Sequence, residues 1–332
     1  MRPSSGNRCP RAGLASALAL PAILWLVSPA APAADFVRDK VLKPAADDVN
    51  AIAFSPDGKL LATAHKKKVV KLWSVEDGSE LATLKGHAMT VNAVAFAANG
   101  GMLASGGNDE KIKIWSVPDG KEIRTIDAGN NVLCLAFSRD GSLLASGIEG
   151  KTITLWSLPG GEARAKLRGH TDDVFSLAFT ADGTLLVSSS EDHTIRVWSV
   201  SEGKEVRVLR GHKDDVNSIA FDGDGSTLAS GSEDETVMVW SFADGKPLQR
   251  MRGDNRDNVK TVAFRPDGKL IASGGNKDRR IRLWSAADGQ QLPSLEGHAK
   301  EVNCLAFSPD GQILASGSDD FSVFLWVDRE AR

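Results

Sequence analysis

Between Gly211 and Trp240 the chain reads GHKDDVNSIAFDGDGSTLASGSEDETVMVW, and its apolar positions fall into three short runs divided by turn residues. Val216–Phe221 (VNSIAF) predicts a first strand, the run from Leu228 (LAS) a second, and Thr236–Trp240 (TVMVW) a third. Asp222–Gly225 and Gly231–Glu235 are the intervening turns, and after Ala243-Asp244-Gly245 a fourth run, Pro247–Met251, leads onward. Hairpin turns need residues that tolerate positive φ, which explains the recurring Asp-Gly and Gly-Gly pairs. The unit is therefore four antiparallel strands. Its inner runs are apolar on both faces, so both faces must be covered.

The unit recurs seven times, closing on Trp73, Trp115, Trp156, Trp198, Trp240, Trp284 and Trp326, spaced 42, 41, 42, 42, 44 and 42 residues apart. No unit of this size buries its own faces, so neighbours must stack. Radial stacking of small sheets does this, and predicts an all-β, seven-bladed propeller over 34–332. Its repeats run roughly 42–83, 84–125, 126–166, 167–208, 209–250, 251–294 and 295–332. After Trp326 six residues remain, too few for a turn and a fourth strand. Phe36–Lys43 (FVRDKVLK) is a spare strand that aligns with the fourth strand before repeat five, Leu42 on Leu209 and Val49 on Val216. It is expected to complete the last blade and hide its edge.

Residues 1–33 stand apart. Arg2, Arg8 and Arg11 precede an apolar stretch, Gly13–Ser28, and Ala31-Pro32-Ala33 fits a small-residue cleavage site. These are the parts of a secretory signal peptide. The apolar run is short for a membrane span of about 20 residues. An exported chain is expected, periplasmic or secreted, cleaved after Ala33 and without stable membrane insertion. An uncleaved anchor is the competing outcome. The formal net charge is −3, or −6 without those three arginines, which gives no bulk case for nucleic acid. Cys9 lies in the leader. Cys134 and Cys304 take a position held elsewhere by Ala51, Ala93, Ser176, Ser218 and Thr261, in non-neighbouring repeats, so free buried thiols are expected.

With seven units in order, residues 36–332 resemble the WD-repeat β-propeller family. In that family a His before the first strand, a Ser or Thr in the second, an Asp in the next turn and the closing Trp form one hydrogen-bonded tetrad. The resemblance implies four such sets: His87, Ser105, Asp109, Trp115; His170, Ser188, Asp192, Trp198; His212, Ser230, Asp234, Trp240; and His298, Ser316, Asp320, Trp326. The other repeats depart from the pattern. Repeat six has Ser273, Asp278 and Trp284 with Asp254 for His; repeat one has Thr63 and Trp73 with Ala45 and Lys67; repeat three has Ser146 and Trp156 with Ala128 and Gly150. Those blades are expected to be held less firmly. The Asp that follows Trp in the family is Ser six times and Val once, which reads as surface variation.

Chemistry is sparse. A Ser, His and Asp grouping suggests a hydrolase triad, but four occurrences each tied to Trp make it structural. His65 and His193 fall in turns of repeats one and four, too far apart to share a metal. Neither a dinucleotide fingerprint nor a phosphate loop is complete. No catalytic residue, metal or cofactor is expected.

What remains is a surface. In the family, the loops before the first strands and the turns between second and third strands share one face. Repeats four and five are acidic there: Asp172, Asp173, Glu191, Asp214, Asp215, Glu233 and Glu235. Repeats six and one are basic: Lys277, Arg279, Arg280, Lys66, Lys67 and Lys68, with Lys300 and Phe321 of repeat seven between them. Solvated turns would explain each residue singly; clustering by blade points to docking. The expectation is a monomeric, non-catalytic scaffold for a protein partner. The alternatives are a lactonase-like hydrolase at the channel mouth, or a sugar- or peptide-binding module. Asn50, Asn92, Leu133, Phe175, Asn217, Lys260 and Asn303, next after the first-strand valines, are poor in acid and base groups, which disfavours the enzyme.

Overall fold

The computed structural model describes residues 34–43, 47–117, 119–253 and 257–329. The leader and its cleavage site, Ala45 and Asp254 lie outside the described residues. Within them the chain forms seven antiparallel sheets of four strands each and no α-helix. In blade five, strands a to d are Val216–Phe221, Thr227–Ser232, Thr236–Ser241 and Pro247–Arg252. Strand b runs further than its turn residues suggested, because Gly231 and Ser232 still pair with Ser218 and Val216. The a strands of neighbouring blades adjoin one another and line the central channel, and the d strands lie outermost.

The apolar cores lie between blades. Val187, Ile195 and Val197 of blade four pack with Ile219 and Trp240 of blade five. Ile281 and Leu283 of blade six pack in the same way with Leu305 and Trp326 of blade seven. The Ser-Gly step of the b strands permits this approach. A Cβ on Gly106 would fall 2.3 Å from Cγ1 of Val132 in the next blade, and one on Gly317 would fall 2.6 Å from Cγ1 of Val49. Cys134 and Cys304 are free and buried, and burial pushes both thiols up, Cys134 to about 12.

The chain's first strand, Phe36–Leu42, pairs antiparallel with Val323–Asp328, from Phe36 opposite Asp328 to Leu42 opposite Val323. It is the outer strand of the last blade, so the two ends of the ring close on each other as the repeat arithmetic requires. Each a strand carries a bulge just after its first valine: the register shifts between Val49 and Ala51, and again between Val302 and Cys304. The bulged residues are the set Asn50, Asn92, Leu133, Phe175, Asn217, Lys260 and Asn303.

Candidate docking face and channel mouth

Four blades hold the His, Ser, Asp and Trp in one network. The histidine Nδ1 lies 2.8–3.1 Å from the carboxylate, its Nε2 lies 2.7–2.8 Å from the serine Oγ, and the indole N–H donates to that Oγ over 2.8–2.9 Å. An ionised carboxylate only accepts, so Nδ1 carries the proton and the serine hydroxyl donates to Nε2. Burial raises the carboxyls of Asp192, Asp234 and Asp320. Hydrogen bonds from the imidazole, the neighbouring Thr or Ser hydroxyl and a backbone N–H outweigh it and hold all three well below the usual carboxylate range. The serines are fully buried, so no substrate reaches this triad-like grouping.

Each carboxylate also ties two loops together. Asp109, Asp192, Asp234 and Asp320 accept the backbone N–H of Ala88, Thr171, Lys213 and Ala299, the residue after each histidine. The turn between strands b and c is thereby locked to the loop before strand a.

Blades one and six anchor the Trp through other residues, which corrects the expectation that His65 lies in a turn. His65 is not in a turn. It ends strand b, is fully buried, and its Nε2 lies 2.7 Å from Oγ1 of Thr63, which accepts the Trp73 indole N–H at 2.9 Å. The imidazole missing before strand a is supplied from strand b, because Thr63 and His65 stand two apart and share a face. In blade six Trp284 donates to Ser273 at 2.8 Å, and Asp278 pairs with the buried guanidinium of Arg282. The loop tie is reversed in both blades. Asp47 and Asp257, two residues before the a-strand valine, accept the N–H of Lys67 and Lys277 in the b–c turn, each at 2.8 Å. Both loops of blades one and six are thus tied, although Nδ1 of His65 stands 3.9 Å from Asp47, beyond hydrogen-bond reach. Blade three keeps the Trp156 to Ser146 bond at 2.8 Å, and its turn is tied sideways, with Gly150 N–H donating to Asp173 of blade four at 2.7 Å.

The face built by these loops displays one left-handed residue per blade, at equivalent positions just before strand c: Lys68, Glu110, Lys151, His193, Glu235, Arg279 and Phe321. In the basic sector Lys66 is exposed and ion-paired with Asp48 at 2.9 Å, Arg280 lies 3.2 Å from Glu296, and Lys67, Lys277 and Arg279 project into solvent. The Lys300 ammonium stands 4.7 Å from the centre of the Phe321 ring. On the opposite side, His193, Asp214 and Asp215 come together, as do Asp172, Asp173 and Glu191; each group brings three potential ligand atoms within 4.8 Å. The His193 grouping crosses from blade four to blade five, so sequence position alone did not pair it with those acids.

The bulged residues do work that their chemistry alone did not suggest. Asn50, Asn92, Asn217 and Asn303 donate Nδ2–H to the backbone oxygen of Val91, Val132, Val259 and Val49 at 2.9–3.1 Å, each bond crossing to the next blade. With the amide nitrogen so engaged, the Oδ1 is left as an acceptor at the channel mouth. On the side of blades six to two, the mouth is a cavity of about 490 Å³ lined by Asp48, Asn50, Lys66, Asn92, Lys260 and Asp319 among others. Among the described residues no helix is long and apolar enough to cross a membrane.

A closed ring of seven blades, each with its Trp bonded to a strand-b hydroxyl, defines a β-propeller whose loops form a rigid face. The chain belongs to the WD-repeat family: the model described as "WD domain, G-beta repeat" matches residues 39–74, 78–116, 120–157, 161–199, 203–241, 245–285 and 289–327. Propellers of this family commonly serve as non-catalytic platforms for protein partners. One relative, an uncharacterized WD repeat-containing protein of Nostoc sp., is 53% identical over 36 residues. That match covers 11% of this chain and 2% of the relative, about one repeat.

Proposed function

We propose that this propeller is an exported, non-catalytic scaffold that holds a protein partner on the loop face. The docking side is the basic sector of blades six, seven and one, with Phe321 as its apolar anchor and an acidic partner surface opposite. The observation that carries this reading is the half-buried Phe321 ring at the tip of its turn, with the Lys300 ammonium 4.7 Å from its centre and the basic turns of blades six and one on either side. An aromatic side chain held at a turn tip among cations offers an apolar contact that the other six turns, with Lys, Glu, His or Arg at that position, do not. Flanking charges govern association rate, and a central aromatic governs residence time. The loop ties present the surface already ordered, which lowers the entropic cost of binding. Capture of the partner by the exported protein, followed by binding kinetics at two salt concentrations, tests the docking side. Export itself rests on the basic, apolar and small-residue segments of 1–33, and N-terminal sequencing of the exported chain starting at Ala34 would support it.

A further inference from the structure

Blade six shows what the channel mouth accepts. Lys260, the bulged residue of its a strand, reaches into blade seven and places Nζ 2.5 Å from Oε2 of Glu301 and 3.2 Å from Oδ1 of Asn303. Glu301 and Asn303 flank the valine that begins the next a strand, and Asn303 is fixed by its own bond to the Val49 carbonyl at 3.1 Å. A carboxylate and an oriented amide oxygen thus form a seat for one ammonium, and the chain fills it from the preceding blade.

The same seat recurs between blades four and five, unfilled by any lysine of that position. Asp215 and Asn217 flank Val216 as Glu301 and Asn303 flank Val302. Asn217 is fixed alike, donating to the Val259 carbonyl at 3.1 Å. The residue that corresponds to Lys260 is Phe175, half-buried at the channel wall. Phe175 thus holds the register position from which the lysine stem starts in blade six. The charges acting most strongly on Asp215 are Glu233, Asp214 and Asp172, all negative, and the half-exposed His193, 3.5 Å away. Burial, then these acids, push the Asp215 carboxyl up; Glu191 beside it is raised by burial and by Asp172, Asp215 and Asp173.

We propose that a lysine or arginine side chain of a partner protein enters the channel mouth between blades four and five. Its cation sits on the Asp215 carboxylate and the Asn217 amide oxygen, and its aliphatic stem crosses the Phe175 ring. Carboxylate pairing and burial of the stem against the ring both favour this occupant. The surface is distinct from the basic sector and does not depend on it.

The test uses the purified protein and a fluorescein-labelled leucine–lysine pentapeptide, read by anisotropy. The peptide is expected to bind and to weaken about tenfold when its lysine is acetylated, the loss of a charge-assisted contact. Asp215→Asn is expected to weaken it similarly. Phe175→Lys is expected to abolish binding, because it rebuilds the self-filled seat of blade six, whereas Phe175→Leu retains it. Should Phe175→Lys fold poorly in thermal melts, the double change Asp214→Asn with Asp215→Asn, both at the surface, gives the same readout. Absence of peptide binding, equal binding of the acetylated peptide, or full binding by Phe175→Lys would overturn the proposal. So would saturable calcium or zinc binding that requires Asp215 while the peptide neither binds nor competes, which would make this a metal site.

Discussion

Nη1 of Arg265 lies 3.2 Å from Oδ2 of Asp328, joining the a–b turn of blade six to the last residue of strand c in blade seven. Both side chains are buried. Where Arg265 stands, other blades have Ser55, Ser138, Thr180 and Ser308, whose hydroxyls bond the turn aspartate at 2.5–2.6 Å. Arg265 keeps that contact, Nε to Asp267 at 2.9 Å, and adds the seam. Asp328 also accepts the N–H of Asp35 at 3.3 Å, so one carboxylate gathers blade six, the last c strand and the incoming first strand.

Arg265→Ser, which gives the residue of blades one, three and seven, is expected to cost about 3 kcal/mol, because the buried Asp328 carboxylate loses a charged contact. Urea unfolding midpoints measure it. A loss under about 1 kcal/mol would mean that strand pairing alone closes the ring.

Acid should weaken blade one through His65. Burial lowers its pKa from 6.5 to about 4, with the Lys71 charge adding to the effect. The unfolded chain therefore takes up a proton between these values while the folded one does not. Stability then falls as pH drops from about 6.5 to about 4, by roughly 1.4 kcal/mol per unit, and this contribution levels off below. His65→Gln, which cannot titrate, is expected to flatten that slope in melts across the window. An unchanged slope would place the titration elsewhere.

The tetrads give a graded series. His212→Ala is expected to destabilise by roughly 1–3 kcal/mol by leaving buried partners unsatisfied. His65→Ala belongs with it, although it lies outside the family pattern. His193→Ala, on an exposed turn, is expected to change little. Equal effects of His212→Ala and His193→Ala in denaturant melts would sink the network assignment.

Much of this was legible in the sequence because a period of about 42 residues repeats the same strand and turn chemistry. The spare strand Phe36–Lys43 was found by its register against Leu209, and the structure pairs it as expected. What escaped was substitution in space. His65 reads as a turn residue because the family pattern places its imidazole before strand a, yet Thr63 and His65 two apart on one strand are the available signal. Asp47 and Asp257 exchange donor and acceptor roles with the b–c turn, and no spacing rule reports a reversal. Arg265 and Asp328 are 63 residues apart, a separation that no repeat period joins. The asparagines offer no acid or base chemistry, and their clasp on the next blade follows from a bulge that no sequence pattern marks.

Phe321 separates display from stability. Phe321→Gly relieves a left-handed backbone at the cost of the Lys300 contact, so stability is expected to hold or to rise by about 1 kcal/mol. Dissociation of a bound partner is expected to quicken. A loss of stability above about 1 kcal/mol, with unchanged dissociation, would make Phe321 a structural residue.

The most direct measurement is the association rate of the captured partner with paired charge reversals on opposite faces, at low and high salt. Arg279→Glu with Lys67→Glu, both on the loop face, is expected to slow association and flatten its salt dependence. Arg139→Glu, on an exposed a–b turn of the other face, is expected to leave both unchanged. Slowing by Arg139→Glu, with the loop-face pair associating normally, would contradict docking on the loop face.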